Sequence, residues 1–397
     1  MSRRPTLKTS DLRGATRLAT DATTALADLV EAMHAGVVRA PDGRTSGIAG
    51  LVYKSIRGVT RLVGGSLEAL LALLQPALAT DAAHASTERE AVVAALNGVM
   101  GDYLAASANP LAIPMTLRHA GRVLPLERAA LAADPQARGG RLLVLLHGLC
   151  MNDLQWRRAG HDHGQMLAES LGYTPLYLHY NSGQHISLNG HAFAHKLEQL
   201  LDAWPQPVER LVLLGHSMGG LLMRSAMHQG ASLGQSWVER VDDMVFLGTP
   251  HHGAPLERAG NWVTLLLGAA PYAAPLARLG KLRSAGITDL RHGSLLDEDW
   301  VGRDRFAHGP HRPQPVPLPA GPRCYALAAS TGRRNGDVKD KLLGDGLVPL
   351  DSALGRHADA ARCLQFAPER QWQGWELNHL DLLSSPQVAE QLKDWLA

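Results

Sequence analysis

The segment Leu211-Val-Leu-Leu-Gly-His-Ser-Met-Gly-Gly220 restricts the fold of this 397-residue chain more than any other. Its apolar start suits a strand covered on both faces, and the helix-like stretch from Leu221 to His228 follows. Between them lies Gly215-His216-Ser217-Met218-Gly219, a Gly-x-Ser-x-Gly pattern. Five such residues recur often by chance. Between a strand and a helix they describe a strained turn that lifts a serine oxygen clear of a sheet, with glycines where the two backbones approach.

The surrounding sequence supplies the rest of such a sheet. Apolar runs at Leu142–Leu146, Pro175–Tyr180, Arg210–Leu214, Met244–Leu247, Tyr325–Ala328 and Cys363–Phe366 alternate with helical segments. Several are continuous rather than alternating, which predicts an α/β fold with a mainly parallel sheet covered by helices. Met115–Leu117 and Arg122–Leu124 read as a short hairpin. Residues 1–110 read instead as a helical amino-terminal region, with 111–397 as the α/β domain. Leu12 to Met33 has helical spacing behind Ser10 and Asp11 as caps, and Val52 to Leu74 forms a second helix with Lys54, Arg57 and Arg61 on its polar side. Thr87, with Glu90 three residues on, opens a third. An insertion of cap-like length spans about 254–322. Its His308–Pro322 end is too proline-rich for helix or sheet.

A serine hydroxyl needs a base, and the base needs a carboxylate to orient it. In a strand–serine–helix architecture these follow in the order acid, then histidine. Asp345 lies between glycines after the Tyr325–Ala328 strand, and His379 follows the Cys363–Phe366 run. Asp337, Asp340 and Asp351 are rival acids, and His357 is a rival base that falls before the last strand. His251 and His252 come in the wrong order. An oxyanion requires two backbone N–H donors, worth roughly 3–4 kcal/mol each in a transition state. Met218, directly after the serine, offers one. Leu149, presented by the His147-Gly148 turn, offers the other.

At these positions the sequence resembles the lipase/esterase branch of the α/β-hydrolases. The matching motifs are His147-Gly148-Leu149, Gly215 to Gly219, Gly248-Thr-Pro-His-His-Gly253, Asp345-Gly-Leu-Val348 and Asn378-His-Leu-Asp381. The likeness runs from about residue 140 to the end and includes bacterial triacylglycerol lipases and GPI-inositol-deacylase-like hydrolases. It implies Ser217, Asp345 and His379 as triad, Leu149 and Met218 as oxyanion donors, and no cofactor. Secreted relatives often carry a calcium site, and Asp381 matches one of its positions. No second aspartate upstream of Asp345 completes it, so no metal is expected.

A net charge of +2 without a Lys/Arg-dense block gives no nucleic-acid footprint. Three cysteines, none in metal spacing, are expected as reduced thiols; a Cys324–Cys363 bridge is the alternative. The basic amino terminus has no apolar segment behind it, which predicts a cytoplasmic chain without a secretory signal. The basic side of the 52–74 helix fits either a solvated face or peripheral contact with an anionic lipid surface. The expected activity is hydrolysis of a hydrophobic acyl ester. An acyltransferase using the same triad and a lipid-docking module with little catalysis are the alternatives. Trp262 to Leu279 is apolar enough to form an acyl-binding wall, with Trp262, Leu265 and Leu266 as candidate contacts. Paired charged substitutions at Leu265 and Leu266 should then shift preference from long toward short acyl esters in a folded variant. An unchanged chain-length profile would remove these residues from the acyl site.

Overall fold

The computed structural model describes residues 9–37, 54, 87–134, 137–254, 284–304, 312–333 and 344–397. Contacts divide the chain into two compact units, Met1–Arg89 with Leu104–Ala112, and Glu90–Tyr103 with Ile113–Ala397. In the first, helix α1 (Thr9–Val37) covers the predicted Leu12–Met33 stretch. Asp11 sits inside its first turn and pairs with Arg89, Nε to Oδ2 2.5 Å, rather than standing before the helix as a cap. Asn109 ties the unit together, donating to the Gly14 carbonyl and accepting from the Leu111 amide. The helix predicted over 52–74 lies outside the described residues. Helix α2 (Thr87–Ala106) begins where the Thr87/Glu90 spacing places it and is kinked at Met100.

The second unit is built on one eight-stranded sheet. Its strands are β1 (Thr116–His119), β2 (Arg122–Val123), β3 (Arg141–Leu146), β4 (Thr174–His179), β5 (Arg210–His216), β6 (Val241–Leu247), β7 (Arg323–Ser330) and β8 (Gln371–Trp375). Their order is β2-β1-β4-β3-β5-β6-β7-β8. The β1/β2 hairpin is antiparallel and joins β4 antiparallel; every pairing from β4 to β8 is parallel. The central strands are apolar runs because both their faces are covered: Leu142–Leu146, Leu211–Leu214 and Met244–Leu247 are fully buried.

The helices of this unit are α3 (Arg128–Ala133), α4 (His163–Leu171), α5 (Ile186–Ala203), α6 (Met218–Ser232), α7 (Ala285–His292), α8 (Leu350–Ala353) and α9 (Pro386–Leu396). Local chemistry sets their ends. Asp162 caps α4 by accepting from the Gln165 amide, and Gly172 ends it at φ 72°. Ser284 and Gly293 do the same for α7, which lies within the predicted insertion. The described parts of that span are knitted into the core through Ile287, Leu290, Leu295, Leu296 and Val316. Among the described residues, no helix is long and apolar enough to cross a membrane.

One expectation is corrected here. Cys363–Phe366 is not a strand. The Cys363, Leu364 and Phe366 amides donate to the Ala360, Gly355 and Leu364 carbonyls, so they are spent on local turns and not on a ladder. The last strand is β8, whose Gln-Trp-Gln-Gly-Trp sequence is half-buried because it pairs with β7 alone at the sheet edge. Helix α8 is short and ends before Gly355 at φ 67°, so His357 lies beyond it. The cysteines match the expectation of reduced thiols: all three are free, and the alternative Cys324–Cys363 bridge is not formed.

The chain steps from β3 to β4 on one side, then crosses to β5 on the other side of β3. A crevice opens at such a reversal, beyond the carboxyl ends of the strands. The opposite ends of β5, β6 and β7 are clamped by charge. Buried Asp243 accepts from Arg210 Nε and Nη2 at 3.0 and 2.9 Å, and from Arg323 Nε at 2.7 Å. Removing the carboxylate takes away the counter-charge between two guanidinium groups, with only the more distant Asp242 left to act on Arg323. Asp243→Asn should therefore lower unfolding stability by about 3 kcal/mol. Urea titration checks this, and a loss below about 1 kcal/mol would show that the clamp is not structural.

Candidate active site

Ser217 occupies the turn between β5 and α6 with φ 56° and ψ −121°, a conformation L-residues rarely adopt. Such a residue stores about 1–3 kcal/mol and persists only where its surroundings over-determine it. Its amide donates to the Leu247 carbonyl at 2.8 Å, and its own carbonyl accepts from Gly220 at 3.1 Å. The glycines around it are steric requirements. A Cβ at Gly215 would lie 2.6 Å from the Gly220 nitrogen, and one at Gly219 would strike the Leu146 carbonyl oxygen. Ser217 Oγ is buried and has no hydrogen-bond partner among the described residues.

Asp345 and His379 come together although 34 residues separate them. His379 Nδ1 donates to Asp345 Oδ2 at 2.7 Å, and the His379 amide donates to the Asp345 carbonyl at 3.0 Å. The other carboxylate oxygen accepts from the Leu347 and Val348 amides at 3.0 and 2.8 Å. Both side chains are almost fully buried. With its proton on Nδ1, the imidazole keeps Nε2 as its basic nitrogen. Gly248, at φ 56°, lets the backbone pass close beside the pair: a Cβ there would lie 3.2 Å from Asp345 Oδ2 and from His379 Cε1.

The link from this pair to the serine turn runs through His216. Its Nε2 donates to the His379 carbonyl at 3.1 Å, and the two rings lie 4.7 Å apart. On the other side of Ser217, a Cβ at Gly148 would come within 3.2 Å of Ser217 Cβ. The Gly148 carbonyl accepts from His147 Nδ1 at 2.8 Å and from the Met151 amide at 3.3 Å. A trans peptide points its carbonyl and the next N–H in opposite directions, so holding that oxygen turns the Leu149 N–H the other way. Neither the Leu149 nor the Met218 amide donates to an acceptor among the described residues.

Neutral imidazoles brace this arrangement. Burial pushes His147 down to about 4 and His163 down to about 4, and it drives His216 well below the ordinary histidine value. Each is a donor at one nitrogen only. His147 stacks on Tyr180, whose hydroxyl donates to the His147 carbonyl at 2.8 Å. His163 Nε2 donates to the Leu382 carbonyl at 2.9 Å, three residues past His379, and His161 donates to His163 Nδ1 at 2.8 Å.

Ser217, Asp345, His379, Leu149 and Met218 thus all belong to one neighbourhood at the ends of β3, β5, β7 and β8. The rivals lie elsewhere. Asp351 is exposed and 3.8 Å from Arg356, while His357 is exposed and accepts from the Asp359 amide. His251 is buried against Arg224. Asp381 caps its own loop by accepting from the Asn378 amide. Asp337, Asp340, Trp262, Leu265 and Leu266 lie outside the described residues. Sequence reasoning missed the bracing roles of His163 and His216. The only signal for His216 was its place inside the Gly-x-Ser-x-Gly turn.

This strand order, with a serine in a strained strand-to-helix turn, is that of the α/β-hydrolase fold. Residues 137–315 match the model of a family described as the PGAP1-like alpha/beta domain. Similar solved structures include the mature Bacillus licheniformis lipase BlEst2, at 20% identity, a TM-score of 0.42, and 66% of this chain against 94% of that one. The RedJ thioesterase of the Streptomyces coelicolor prodiginine pathway is 15% identical, with a TM-score of 0.38 and coverage of 66% and 91%. The Pyrococcus furiosus esterase Pf2001 is 15% identical, with a TM-score of 0.34 and coverage of 66% and 82%. A comparison with curated proteins finds no match.

The buried imidazoles have a consequence for stability. Free histidine titrates near 6.5, so between about pH 6.5 and 4 the unfolded chain binds protons that His147 and His163 refuse when folded. Stability must fall as pH falls through that window, by about 1.4 kcal/mol per pH unit for each such group. Urea midpoints at pH 7 and pH 5 should differ accordingly, and His163→Gln should flatten the slope. A profile that is level from pH 7 to 5 would contradict the buried neutral assignment.

Proposed function

We propose that the protein is a serine hydrolase of carboxylic esters with hydrophobic acyl groups, acting through an acyl-enzyme on Ser217. The observation that carries this reading is the buried His379–Asp345 pair, bonded at 2.7 Å and tied to the serine turn by the 3.1 Å His216–His379 contact.

In this reading Ser217 Oγ attacks the ester carbonyl carbon while its proton passes to His379 Nε2. The carbonyl oxygen becomes an oxyanion that accepts from the Leu149 and Met218 amides, which stand ready without other acceptors among the described residues. Asp345 keeps the imidazole in its Nδ1–H form and offsets the charge it gains. His379 then hands the proton to the departing alcohol. Water, deprotonated by the same imidazole, attacks the acyl-enzyme and releases the acid and the free serine. Ser217 Oγ is not hydrogen-bonded among the described residues, which suits a resting site whose contact with the base tightens on substrate binding.

The 1% exposure of Ser217 favours a second acceptor as well. A shielded acyl-enzyme can be captured by an alcohol in place of water, which would make the protein an acyltransferase with the same triad.

Hydrolysis of p-nitrophenyl esters from short to long chain tests the proposal. Ser217→Ala and His379→Gln should each lose at least three orders of magnitude in kcat, and Asp345→Asn about four, with KM little changed. Added alcohol reports transfer as a new ester product. A folded parent that releases no nitrophenol at any chain length, or a Ser217→Ala variant that keeps parental activity, would overturn the reading.

A further inference from the structure

Arg224 lies seven residues after Ser217, two turns along α6 and about 10 Å away along the helix axis. Its side chain is buried, with the residue 4% exposed. Nη1 donates to His251 Nδ1 at 3.3 Å and Nη2 donates to the Val316 carbonyl; Nε has no partner among the described residues. Both acceptors are uncharged. Because Arg224 donates to Nδ1 of His251, that imidazole carries its proton on Nε2, and this N–H also lacks an acceptor among the described residues. A buried guanidinium with only neutral partners keeps an uncompensated desolvation cost. Burial accordingly lowers Arg224 to about 10 and His252 to about 4.

These groups line one half-open cleft with about 60 Å³ of room, enclosed by the 313–317 strap and the 361–364 turn. Arg362 and His252 stand in its wall, and the Arg362 guanidinium donates to the Pro313 carbonyl. Among the described residues lining it there is no carboxylate. The nearest ion-pair partner is Asp359, exposed and 4.0 Å from Arg362 Nε. Neither Ser217, Asp345 nor His379 belongs to the lining. The space holds several waters or one tetrahedral oxyanion.

We propose that this cleft is a binding site for a phosphate group, held by Arg224, Arg362, His251 and His252 and separate from the serine site. Two guanidinium groups supply charge and planar donors suited to phosphate oxygens, and a bound anion would supply the counter-charge that Arg224's two neutral acceptors do not. The open side admits either free phosphate or the phosphate end of a larger ester. The assignment does not depend on the ester-hydrolase reading.

Calorimetric titration of the full chain with inorganic phosphate tests it. One saturable site is expected in the parent, unchanged in Ser217→Ala and weakened at least tenfold in Arg362→Gln and in His252→Gln. Both side chains are half-buried, outside the core, so both variants should keep the parental circular dichroism. Sn-glycerol 3-phosphate in the same assay separates the sources: tighter binding than phosphate assigns the cleft to phosphate esters, and equal or weaker binding to free phosphate. No saturable binding in the parent would overturn the proposal. So would binding that survives both substitutions, or binding lost in Ser217→Ala.

Discussion

Everything at the candidate site depends on the close passage of two backbones at the Ser217 turn. The residue is held at φ 56° because α6 starts almost in contact with the strand that precedes it. That approach is possible only with hydrogen in place of a side chain at Gly215 and Gly219. The strain is borne by the neighbours. Leu247 supplies the acceptor for the serine amide, and the β3 end supplies the carbonyl wall against which Gly219 packs. Adjacent strands of one parallel sheet therefore impose a conformation that no local preference would select.

The same sheet explains how so much could be read beforehand. Strands β3, β5 and β6 are covered on both faces, and such burial leaves an apolar run in the sequence. Ser217 was legible because its glycines are a local steric need. Asp345 and His379 were legible because parallel topology returns each loop to one edge, which makes chain order informative. What escaped detection has a different physical basis. β8 is an edge strand, so its residues are polar or aromatic and carry no apolar run, while Cys363–Phe366 has the run without the ladder. The bracing by His163 and His216 consists of side chains reaching carbonyls 219 and 163 residues away, which no spacing encodes. Arg224 looked like an ordinary helix residue, and only burial sets it apart.

Histidine is used here chiefly as a neutral fitting. His147, His163 and His216 each spend one N–H on a backbone carbonyl of a loop at the site. An amide side chain could make a similar bond. An imidazole adds a rigid, flat body that fills space between strand ends, as the His147–Tyr180 stack at 4.3 Å shows. The surroundings of His379 are thus fixed by rings that share its chemistry yet have no free basic nitrogen facing solvent. Among these four rings, His379 is the one bonded to a carboxylate.

The position of β8 carries a further consequence. It pairs on one side only, and His379 follows it directly, whereas Ser217 hangs from β5 in the middle of the sheet. Edge strands open first in local unfolding, by fluctuations that leave the central strands intact. His379 and Ser217 therefore belong to parts of the sheet of different endurance. Fraying at that border would draw His379 away from Asp345 while the serine turn and its strain remain in place, so the candidate site would come apart from its outer member inward.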